Sequence, residues 1–160
     1  MLNLRPWQEQ AVTKAIKWLT VDRTDKHFLI NAAPGAGKTI AASVIADTLM
    51  KKGEIDRVIV IAPRSEVVNQ WADVFKLVTG RYMSKVTGSD GNIDSMGVDL
   101  CATWAALQGL FDPLKDVCAQ NKTLVICDEH HHAAVTAAWG ENTESALAEA
   151  KFAIIPTGTP

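Results

Sequence analysis

Two segments of this chain, 57-RVIVIAP-63 and 123-TLVICDE-129, are apolar for nearly their whole length. A strand with one wet face alternates apolar and polar residues. A strand apolar at successive positions is covered on both faces, the condition of a parallel sheet between two helical layers. HFLINAA at 27 to 33, VDLCAT at 98 to 103 and KFAIIPTG at 151 to 158 fit the same pattern. Between these segments the apolar residues recur at helical spacing. They are Trp7, Ala11, Val12, Ala15, Ile16 and Leu19 over 6 to 19, then Ile40, Ala41, Val44, Ile45 and Leu49 over 38 to 50. Val67, Val68, Trp71, Val74 and Phe75 mark a third helix, and Leu107, Leu110, Phe111, Leu114 and Val117 a fourth. The alternation predicts an α/β fold, a three-layer α-β-α sandwich around a mostly parallel sheet. The stretch from 78 to 96, rich in Gly, Ser and Asp, has room for one short strand near 84 to 87.

A chain of 160 residues is the size of one domain, read here as a single unit over 1 to 160. Its 48% hydrophobic and 21% charged residues exclude long disorder. No run of about 20 apolar residues predicts a membrane span, so no membrane partner is expected. The start, MLNLRPWQEQ, lacks the basic-then-apolar order of a secretion signal, and a cytoplasmic location is the expectation. A formal charge of -2 argues against recognition of nucleic acid by broad phosphate neutralisation. A grip on the backbone through amides and helix termini stays open. Cys101, Cys118 and Cys127 lie in apolar surroundings at spacings unlike those of a zinc ribbon, and are expected as buried thiols.

The junction between the first strand and its helix carries 33-APGAGKT-39. A glycine-rich turn there exposes consecutive backbone amides at the positive end of a helix, where they can surround phosphate oxygens. Pro34, Gly35, Ala36 and Gly37 form the turn, Lys38 reaches the β and γ phosphates, and Thr39 offers its hydroxyl to magnesium. Ala32 stands where the strict pattern has glycine, a small departure. The dinucleotide fingerprint fails, because Ile40 occupies the place of its third glycine.

A phosphate loop needs an acidic partner, and TLVICDE delivers one to a strand end. Asp128 would hold magnesium through its water shell beside Thr39, and Glu129 would orient or deprotonate the attacking water. His130, His131 and His132 follow directly. Consecutive residues on one short turn point apart and do not converge on a single metal ion.

Taken in order, these motifs resemble the first RecA-like domain of superfamily 2 DExH-box helicases and translocases, in the branch shared with type III restriction-enzyme motor subunits. The resemblance spans nearly the whole chain and implies an ATP hydrolase that uses ATP and Mg2+. It assigns Gln8, within Arg5-Pro6-Trp7-Gln8, to the adenine edge with Arg5 in support. It assigns Arg64, after Ala62-Pro63, and Thr103, within Ala102-Thr103-Trp104, to a nucleic-acid backbone. His131 and the terminal Thr157-Gly158-Thr159-Pro160 would couple the nucleotide site to domain movement through His131, Thr157 and Thr159. Pro156 stands where relatives carry leucine, and His130 where they carry a small residue or cysteine.

The same resemblance implies a second RecA-like domain that supplies arginines to the transition state. The chain is therefore expected to be a fragment, weak in ATP turnover alone. DNA is the expected track. An RNA-directed helicase, or a P-loop ATPase serving as a switch or interaction module, are the other readings. The guanine-reading Asn-Lys-x-Asp element of a GTPase is absent from the sequence.

Overall fold

Among the described residues six strands form one sheet: β1 (His27–Asn31), β2 (Arg57–Ala62), β3 (Met83–Val86), β4 (Asp99–Thr103), β5 (Thr123–Cys127) and β6 (Phe152–Thr157). Their order is β1-β6-β5-β2-β4-β3, and each neighbouring pair is parallel. The computed structural model describes residues 4–22, 27–31, 37–62, 64–86, 99–103, 106, 111–128 and 149–157. Around the sheet lie α1 (Pro6–Ile16), continued by a π-helical segment (Lys17–Asp22), then α2 (Lys38–Lys51), α3 (Ser65–Thr79) and α4 (Phe111–Gln120).

The central strands explain the layering. Successive residues of β2 enter different cores: Val58, Val60 and Ala62 join Leu124 and Ile126 under α2 and α3. Ile59 and Ile61 join Val125 and Cys127 on the opposite face, against Leu114, Val117 and Cys118 of α4. Each of the Val, Leu and Ile side chains among them contributes about 1.5–3 kcal/mol on burial. Helix α3 seats Val68, Trp71, Ala72 and Phe75 on one face, the i, i+3, i+4, i+7 set of an amphipathic helix. It stops at Gly80, whose φ of 76° places it in the left-handed region that glycine adopts without Cβ strain.

The predicted strands and helices appear in order. The short strand expected at 84 to 87 is β3, at one edge of the sheet. The fourth helix, expected from 107, is described from Phe111 and runs to Gln120. All three cysteines are buried free thiols, as expected. Among the described residues no helix is long and apolar enough to cross a membrane.

Polar clips gather at the amino ends of the strands. Lys151, just before β6, places its Nζ 2.9 Å from Glu54 Oε2, and Lys122, before β5, donates to the Gly53 carbonyl at 2.8 Å. Asp99, the first residue of β4, accepts from the Val58 amide at 2.9 Å and pairs with Arg81 Nε at 2.7 Å. Burial raises the Asp99 carboxyl above its ordinary value, against the pull of Arg81 and the Val58 amide. A raised carboxyl pKa means that the folded chain takes up a proton more readily than the unfolded one. The stability tied to Asp99 is thus present in acid and is lost as pH rises through the raised value.

Arg81→Met removes the cation that opposes this effect. We expect a loss on the order of 2 kcal/mol at neutral pH, below the value for a wholly buried pair because the Arg81 side chain is 37% exposed. The loss should shrink once Asp99 is protonated. Urea unfolding of both proteins at pH ~7 and ~4 measures the difference, and an equal loss at both would exclude Asp99 as its source.

Candidate functional site

A parallel sheet sends the carboxyl ends of its strands to one edge. Here that edge gathers the ends of β1, β2, β4, β5 and β6, and with them every sequence-predicted site residue that the structure describes. A cleft of about 280 Å3 opens there. One wall is the first turn of α2, with Gly37, Lys38, Thr39 and Ile40; the other is α3, with Val67, Gln70 and Val74; Arg64 and Asp128 complete the lining.

Gly37 caps α2 with φ 89° and ψ 28°, a left-handed conformation that fits glycine. Its carbonyl accepts from the Ala41 amide at 3.1 Å and from Gln8 Nε2 at 3.1 Å. A Cβ at Gly37 would collide with that Gln8 amide nitrogen, so a larger residue there would be strained by conformation and would also displace the Gln8 amide. Lys38 begins the helix and is 8% exposed, with its side chain in the cleft. The amino end of α2 adds the positive pole of the helix to this cation, a combination that favours an anion.

Asp128 follows β5 directly. Its backbone N–H donates to the Ile61 carbonyl at 2.9 Å, extending the ladder with β2 by one step and fixing where the carboxylate starts. The side chain is 6% exposed, and its Oδ2 accepts from the Trp71 indole N–H at 2.8 Å. The Cys127 thiol beneath it is pushed up to about 12, by burial first and by the Asp128 charge second. Cys101 is raised for the same two reasons, so both stay protonated and unreactive.

The remaining predicted residues divide by position. Gln8 is 3% exposed; its Oε1 accepts from the Arg5 N–H at 2.7 Å while its Nε2 holds Gly37. Arg5 is therefore linked to Gly37 through its backbone N–H and Gln8. Arg64 is the N-cap of α3 in extended conformation, with its side chain 72% exposed and 3.8 Å from Glu66. Thr103 ends β4, buried, and its Oγ1 accepts from the Ala106 amide at 3.1 Å, a helix-cap arrangement. Thr157 ends β6 in register with Asn31 of β1. Pro34, Gly35, Ala36, Glu129, His131 and Thr159 lie outside the described residues, as do His130, His132 and Trp104. Among the described residues no group of three His, Cys, Asp or Glu side chains is placed to hold a metal ion.

One contact that the sequence did not reveal is Trp71 on Asp128. Its signal was a buried Trp on a helix face, since an indole N–H taken out of water nearly always finds an acceptor.

The family model of the type III restriction enzyme res subunit matches residues 1–160. The chain belongs to this family. It is a RecA-like domain of the res-subunit kind, with the P-loop NTPase sandwich of superfamily 2 helicase domains. An uncharacterized protein of Mycobacterium tuberculosis is 29% identical over 157 residues, covering 98% of this chain and 25% of its own length. The DNA repair and recombination protein RAD54-like of Danio rerio is 30% identical over 151 residues, covering 80% of this chain and 20% of its own. The solved SWI2/SNF2 ATPase core of Sulfolobus solfataricus in complex with dsDNA superimposes with a TM-score of 0.69 at 19% identity, over 99% of this chain and 32% of that one. The chain thus spans about a fifth to a quarter of the length of the curated relatives it matches.

Proposed function

We propose that this domain binds and hydrolyses ATP with Mg2+ as the motor half of a helicase or translocase that moves on DNA. The observation that carries the reading is the cleft, which Lys38 and Thr39 at the head of α2 line together with Asp128 at the end of β5, with α3 and Arg64 as the second wall. An anion-favouring helix end beside a buried carboxylate suits a phosphate chain and its divalent cation. DNA is favoured because one relative is a DNA repair and recombination protein and a structural neighbour was solved on dsDNA.

In this mechanism the amides around Gly37 and the Lys38 ammonium hold the β and γ phosphates and take up charge that develops on them during transfer. Magnesium, held at Thr39 and Asp128, would offset the remaining negative charge when bound. Glu129 orients the attacking water. Gln8 meets the adenine, and its bond to Gly37 ties the base reader to the phosphate loop. Arg64 and Thr103 hold one stretch of nucleic-acid backbone, and a second RecA-like domain holds the next and supplies the arginines that complete the site. His131, Thr157 and Thr159 relay nucleotide state to that domain.

Phosphate release from ATP by the full protein, alone and with single-stranded DNA, duplex DNA or RNA, tests the reading, with Lys38→Ala as the blank. DNA should raise the rate at least about tenfold, a coupling of about 1.4 kcal/mol in the barrier. Stimulation by RNA alone would replace DNA as the track. Release unmoved by any polymer would leave a P-loop switch and end the motor reading.

A further inference from the structure

The indole of Trp71 is fully buried and donates to Asp128 Oδ2 at 2.8 Å across 57 residues of sequence. Its neighbours on α3, Val67, Gln70 and Val74, line the cleft in which Asp128 stands. We infer that Trp71 is a positioning residue for the magnesium site: it fixes the rotation of the Asp128 carboxylate and so sets the affinity for the metal. The inference rests on the reading of Asp128 as the magnesium-holding group.

The physical reason is the freedom of a carboxylate. The backbone of Asp128 is pinned by its bond to Ile61, which leaves the side-chain torsions to define where the two oxygens point. A rigid donor, itself packed in the core with Val68 and Phe75, holds one oxygen in place. The other oxygen is then turned toward a fixed direction before any ion arrives, and the metal has less disorder to remove on binding. The donor sits on α3, whose first turn follows Arg64, so a displacement of α3 at its exposed end would also move the hydrogen bond that orients Asp128.

Trp71→Phe deletes the N–H and keeps an aromatic ring in the core. The measurement is binding of a fluorescent ADP to this chain, first in EDTA and then along a magnesium titration, beside a thermal melt. The magnesium midpoint should rise about ten- to a hundredfold, the usual effect of losing a partner behind a metal ligand, while affinity in EDTA stays within about twofold. An unchanged midpoint would overturn the inference. So would equal losses with and without magnesium, which point to packing alone.

If Trp71→Phe folds poorly, the indole N–H signal of Trp71 in the natural chain gives the answer by NMR. It should move when magnesium is added to the ADP-bound form, and a signal that stays still overturns the inference. Failure of the natural chain to bind the probe better than Lys38→Ala would show instead that the nucleotide reading is wrong, and the inference would fall with it.

Discussion

Lys38→Ala should lower ATP turnover by the full protein about 10²–10³-fold, with affinity for Mg2+-ATP down about 10–100-fold. The size follows from where Lys38 sits. It is the first residue of α2, nearly buried, and lines the same cleft as Asp128. A cation there meets phosphate oxygens with little competing water, so its attraction is stronger than that of a surface lysine. Alanine is the best helix former, and the buried face of α2 at Ala42, Ile45, Ala46 and Leu49 is untouched. The thermal midpoint should therefore stay within a few degrees while binding and turnover fall. Titration of a fluorescent ATP analogue with a parallel melt separates these effects. Retained affinity would remove the phosphate-loop reading, and a collapsed melt would assign Lys38 to the core.

Glu129→Gln should do the opposite to binding: affinity for ATP holds within about threefold, a difference of about 0.7 kcal/mol, while turnover falls about 10²–10⁴-fold. Glutamine keeps the size and hydrogen-bonding reach of the side chain but offers no basic carboxylate to a water. The neighbouring Asp128 remains on the β2 ladder through Ile61, so the carboxylate proposed to hold the metal keeps its origin. Single-turnover phosphate release with preloaded ATP gives the result without interference from product release. Turnover that survives would mean that another group orients the water.

The strands were legible in the sequence because burial on both faces leaves little choice of residue: β2 is apolar at every buried position and β5 at all but Thr123, whichever layer each side chain meets. Helix α3 was legible from one strongly apolar stripe. The π-helical segment at Lys17–Asp22 was not, since α and π turns bury nearly the same residues over so short a span, and Leu19 is buried in either. The site divided along a similar line. Lys38, Thr39 and Asp128 were readable as motifs, because each stands at a junction of strand and loop or loop and helix. The bonds of Gln8 to Gly37 and of Trp71 to Asp128 were not, because they join residues 29 and 57 positions apart and depend on how α1 and α3 pack. Thr103 shows the limit of a motif: its hydroxyl oxygen already accepts from the Ala106 amide, a local bond that stands beside the nucleic-acid contact the resemblance assigns to it.

If Gln8 meets the base as proposed, its two bonds bear on purine choice. Its Oε1 faces the Arg5 N–H and its Nε2 faces the Gly37 carbonyl. Turning the amide over would set oxygen against oxygen at Gly37 and nitrogen against N–H at Arg5, so the group is locked in one sense. Each end keeps one spare valence, a lone pair on the oxygen and a hydrogen on the nitrogen. Adenine presents a matching donor and acceptor, N6 and N7, whereas guanine presents two acceptors, O6 and N7. A purine brought edge-on to this amide would find its oxygen repelling the O6 of guanine. Discrimination would then be wired into the backbone of Arg5 and Gly37 before any base approached.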